Sequence, residues 1–100
     1  MTKTKETANL GKWGRLHYDY LNRNKSTVIN VMRLKGTLQA YFEQFDPDTQ
    51  DSFEKLVKRT AEVENVTEEL KATDQMEWVH RMNNIRNRCE EFILSEYVHQ

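Results

Sequence analysis

The sequence predicts an all-α fold: a small bundle of four or five helices, ending in one long C-terminal helix. Three observations carry that prediction. Only three Gly and one Pro interrupt 100 residues, so turn punctuation is sparse. Apolar residues recur at three- and four-residue spacing along most of the chain, which is the period of an amphipathic helix. Hydrophobic residues make up 37% of the chain and charged residues 31%, a balance that suits a bundle with solvated outer faces. A chain of this length supports one domain with a single core, so residues 1–100 are read as one helical domain, with 1–9 as a disordered tail.

The first helix is marked by Trp13, Leu16 and Tyr20, with Leu21 beside them, an apolar stripe of about three turns. Asn22, Asn24 and Ser26 break that pattern, and Ser26 is placed to cap a second helix through Val28, Ile29 and Met32. Gly36 can end that helix in a left-handed conformation or lie inside a longer one; a break at Lys35–Thr37 is the favoured reading. In FDPDTQDSFEKL, Asp46 reads as an N-cap and Pro47 as a first helical residue, so a new helix is predicted there. Its apolar face is Phe53, Leu56, Val57 and Thr60. A turn follows over Val63–Thr67, capped by Asn65 or Thr67. Beyond it neither Gly nor Pro occurs, which predicts a continuous spine from Thr67 to Tyr97, about 45 Å long. Its seam is Trp78, Met82, Ile85, Cys89 and Phe92. The predicted core is Trp13, Leu16, Tyr20, Phe42, Phe45, Phe53, Leu56, Trp78, Met82 and Ile85.

The net charge of -1 hides an asymmetry, because residues 1–36 carry eight bases and two acids and the rest of the chain is net acidic. A basic N-terminal third can meet phosphates or an acidic protein surface. GKWGRLHYDY interleaves cations with rings, a pattern that can stack on and neutralise nucleic acid. The stripe assigns Trp13, Leu16 and Tyr20 to the core, which leaves Lys12 and Arg15, with Tyr18 beside them, for the surface. Arg23, Lys25, Arg33 and Lys35 extend the cationic set. On the spine, Arg81, Asn84 and Arg88 share the face opposite the seam and are recognition candidates. Asn83 borders the seam, where a structural role and a binding role are equally open.

Catalytic arrangements fail on geometry. Glu68 with Glu69, and Glu90 with Glu91, are helix neighbours that point to different faces. Cys89 and His80 on one helix are separated by roughly 13 Å of rise, too far for a nucleophile and its base. His80 lacks the spacing of a metal helix motif. No enzyme activity, metal or cofactor is therefore expected. The single cysteine, Cys89, allows no intrachain disulfide and fits a reducing cytoplasm. The N-terminus lacks the apolar run of a signal peptide, and no stretch is apolar enough for a membrane span.

QMEWVHRMNNIRNRCEE resembles the TnpV family, small proteins encoded on transposons and integrative elements of Gram-positive bacteria. RLHYDYLNRN, LKGTLQAYFEQFDPDTQDSFEKLVKR and VTEELKATDQMEWVHRMNNIRNRCEEFIL are similar to it in order and spacing, over residues 13–95. The resemblance implies a mobile-element accessory protein that works by macromolecular binding. The favoured form is an anti-CRISPR-like inhibitor of a host effector nuclease, with a type II CRISPR effector or its guide RNA as partner. The alternatives are a DNA-binding helper of excision or integration and a structural homo-oligomer, such as a homodimer.

Overall fold

The computed structural model describes residues 10–99; the tail expected over 1–9 lies outside them. Five helices follow in order: α1 (Lys12–Asn24), α2 (Ser26–Lys35), α3 (Leu38–Val63), α4 (Glu68–Thr73) and α5 (Gln75–Ile93). A π-helical turn, Leu94–Val98, continues α5. The all-α prediction holds.

The stripe of α1 is rotated from its predicted position. Trp13, His17, Tyr18 and Leu21 are buried, whereas Leu16 is 37% exposed and Tyr20 is half-buried. His17 can take the core position because both ring nitrogens find partners inside. Nδ1 lies 2.8 Å from the Val98 carbonyl and Nε2 2.9 Å from the Tyr41 hydroxyl. A carbonyl only accepts, so Nδ1 carries the proton and Nε2 accepts from Tyr41. The ring also stacks on Phe45 at 4.1 Å. Burying Tyr18 likewise removes it from the expected surface set.

Ser26 is the first residue of α2 and provides no side-chain cap; Lys25 holds the cap position. Gly36 ends α2 at φ 73, as the break reading required, and the Gly36 and Thr37 amides return to the Arg33 and Met32 carbonyls at 3.2 and 3.0 Å.

The helix predicted to start at Pro47 does not start there. Pro47 lies inside α3, which runs unbroken for 26 residues, although it leaves the Glu43 carbonyl without an i+4 amide donor. The Asp46 carboxylate instead accepts the Gly14 amide at 2.8 Å. The N-cap of α1 is Gly11, which has no side chain, so Asp46 satisfies an orphan amide of α1 from outside it. A Cβ at Gly11 would overlap that carboxylate.

The expected spine is divided as well. Asp74 separates α4 from α5 with φ -148, and its side chain accepts the Glu77 amide at 3.1 Å. Thr67 caps α4 in the same way. The longest element is therefore α3, and α1, α2 and α5 all pack on it.

Two core clusters result. One gathers Trp13, Phe53, Val57, Ala61, Val66, Ile85, Cys89, Ile93 and Val98, with Phe45, Leu56, Trp78 and Met82 packed at its margin. The other gathers Leu10, Tyr18, Leu21, Ile29, Leu38 and Phe42. Trp13 joins α1 to α3 through a 2.6 Å bond from its indole N–H to Gln50 and a ring contact with Phe53. Phe92, predicted in the seam, is 51% exposed, and Ile93 is buried in its place.

Candidate macromolecular interface

Of the nine sequence-predicted contact residues, five lie at the start of α1 and on α5, where contacts within the chain hold their side chains. The Lys12 ammonium pairs with Glu90 at 3.0 Å and lies 5.0 Å from the centre of the Trp13 ring. Arg15 donates to the Leu10 carbonyl at 3.2 Å, and Arg81 donates to Glu77 at 2.7 Å. Arg88 forks onto both oxygens of Glu64 at 2.8 Å, while its Nε donates to Asn84 at 2.8 Å. That bidentate fork ties α5 to the end of α3, and it pulls the Glu64 carboxyl below and the Arg88 guanidinium above their ordinary values. Both Asn83 and Asn84 are exposed.

The other four, Arg23, Lys25, Arg33 and Lys35, are exposed on the α1–α2 hairpin. Arg23 reaches the Asp19 carbonyl only at 3.5 Å, a weak contact. Arg33 touches Asn30 at 3.0 Å and the Tyr18 hydroxyl at 3.4 Å. The nine do not form one surface. Helix α1 meets α3 from Tyr41 to Phe53, whereas Arg88 meets Glu64 just beyond the end of that helix.

Sequence reasoning missed a second feature. An open groove of about 580 Å³ runs between α3 and the α4–α5 segment. Val57, Ala61, Val66, Trp78 and Met82 form its apolar lining, and Glu54, Glu62, Glu68, Lys58 and Arg86 supply its charged lining. Lys71 covers the Trp78 ring at 4.8 Å. The readable signal was the pairing of Val57 and Ala61 with Trp78 and Met82, each pair spaced four apart, where small residues face large ones across two helices. Among the described residues no group of three or more His, Cys, Asp or Glu could hold a metal, and no helix is long and apolar enough to cross a membrane.

Comparison with known families finds that the family described as Transposon-encoded protein TnpV matches residues 1–98. No match was found among curated proteins or among solved structures.

Proposed function

The chain belongs to the TnpV family of transposon-encoded proteins, and from that premise we propose that it acts by macromolecular binding, with the α1–α2 hairpin as its contact surface. The observation that carries this reading is the charge of that hairpin. Over residues 12–35 it bears six cations against one acid, Asp19, and five of the cations are exposed on it, Lys12 among them in its pair with Glu90. Such a surface attracts polyanions at long range and meets phosphates at short range.

The partner we favour is a host effector nuclease charged with guide RNA, of the type II CRISPR class, so that the protein is a counter-defence inhibitor rather than an enzyme. A mobile element entering a cell meets nucleic-acid-directed nucleases, and covering an RNA or its binding channel needs charge and shape but no catalysis. A second reading is a helper that binds element-end DNA. It draws on α2, a ten-residue helix that exposes Thr27, Asn30, Arg33 and Lys35, a size and composition suited to the major groove.

The test measures binding to the guide-loaded effector, to free guide RNA and to element-end DNA across a salt series. If phosphates are the target, Arg23→Glu with Lys25→Glu should abolish binding at physiological salt. Neutralising the two residues, Arg23→Gln with Lys25→Gln, should lower the log–log salt slope by about 2. Helicity should be unchanged. Capture of element-end DNA alone selects the helper. Parent-like binding by the reversed variant, together with loss on Glu68→Lys and Glu69→Lys, would place the contact at the acidic end.

A further inference from the structure

Helix α2 has an outward face that the fold leaves uncovered. Ile29 and Met32 turn inward, but Val28 is 42%, Val31 41% and Leu34 87% exposed. Lys35 falls on the same side, seven residues after Val28. At the other end of α3 lies the groove described above, apolar within and lined by three glutamates and two cations. The two surfaces are complementary in chemistry. An aliphatic face fits an apolar lining, and Lys35 fits Glu62 and Glu68. Within one chain they cannot meet, because α2 precedes α3 and the groove lies along its C-terminal half.

We infer that the protein forms a two-fold dimer in which α2 of each copy fills the α3–α5 groove of the other. The molecule measures 55 × 22 × 21 Å, and its two surfaces belong to opposite ends of α3. Two copies side by side and antiparallel therefore bring both α2–groove pairs together at once. A two-fold arrangement closes on itself, whereas a single head-to-tail contact would propagate into open chains. Two such contacts along rods of this length can reach the roughly 1,200 Å² of total buried surface that a stable interface needs. The inference does not draw on the counter-defence reading: it takes Lys35 out of the hairpin's contact surface, leaves Arg23, Lys25 and Arg33 to it, and excludes the reading that lays α2 in a DNA groove, and its readout is mass rather than inhibition.

Sedimentation equilibrium of the full chain over a wide concentration range tests it. The parent should show twice the chain mass. Leu34→Gln with Val31→Gln should weaken the dimer about thirtyfold or more, the effect of losing an interface hot spot, with the circular dichroism of the monomer unchanged. Glu62→Lys with Glu68→Lys should also weaken it, and adding Lys35→Glu to the same chain should restore much of the loss by reversing both sides. Trp13 is already buried, so a blue shift of tryptophan emission on assembly reports Trp78 in the groove. A parent that stays monomeric, a parent that forms open polymers, or glutamine variants that dimerise as well as the parent would each overturn the proposal.

Discussion

His17 shows how one side chain can redirect a helix face. Leu16 is the more apolar residue and completes the three- and four-residue spacing, yet His17 is the one buried. Its ring donates to the Val98 carbonyl, accepts from Tyr41 and stacks on Phe45 at the same time, which an aliphatic side chain cannot do. Periodicity weighs hydrophobicity alone and has no access to partners 24 and 81 residues away. The same burial has a consequence for stability. Desolvation, aided by the charges of His99 and Lys25 and opposed by the Val98 bond, lowers the His17 pKa below its ordinary 6.5. Desolvation also pushes Tyr41 up, so the hydroxyl that faces Nε2 stays protonated. In the window beneath 6.5 the unfolded chain binds the proton and the folded chain does not, so stability rises with pH there. The contribution is complete above the unfolded value and is lost as pH falls through the folded one. Denaturation of parent and His17→Gln across this window should give a less stable but flatter profile for the variant. Equal slopes would mean that His17 titrates alike in both states.

Elements were legible in kind but not in their ends. The α2 stop at Gly36 was the favoured of two readings and Thr67 was one of two candidate caps with Asn65; both signals were visible because each acts within its own turn. Asp46-Pro47 failed because its carboxylate serves another helix, an allegiance that local chemistry does not reveal. The interruption at Asp74 was readable in principle, since Asp74 and Glu77 have N-cap spacing, but the absence of Gly and Pro beyond Thr67 argued for continuity. At the candidate interface, charge counting located the hairpin cations, whereas it could not tell that Lys12, Arg81 and Arg88 are held by Glu90, Glu77 and Glu64. The role given to Asp46 can be measured. Asp46→Ala should destabilise the protein by about 1–2 kcal/mol, the loss of a good cap, and Asp46→Asn, which keeps an acceptor, should recover most of it. Hydrogen exchange should quicken at the Gly14 amide while α3 beyond Pro47 keeps its protection. Quickening confined to residues 48–50 would return Asp46 to the role of starting its own helix.

As a whole the molecule is a rod rather than a sphere. Its radius of gyration is 17.1 Å, against about 13 Å for a compact domain of this length, because α3 carries one cluster toward each end instead of closing a single core. Cohesion is correspondingly uneven. Phe53, Val57 and Ala61 of α3 sit in the larger cluster, while α4 has six residues, none of them buried, and packs chiefly on α5. An isolated helix that short is far below the length at which helices persist in water, and its Thr67 cap bond is long at 3.4 Å. Helix α4 should therefore open locally without global unfolding. Native-state hydrogen exchange should show its amides exchanging orders of magnitude faster than those of Phe53 to Ala61, with little dependence on denaturant, since little surface is exposed by the opening. The groove borders this helix through Thr67 and Glu68, so occupation of the groove should slow α4 exchange selectively. If α4 amides instead exchange only with global unfolding in the dilute monomer, the rod is one cooperative unit and the unevenness inferred from its packing is wrong.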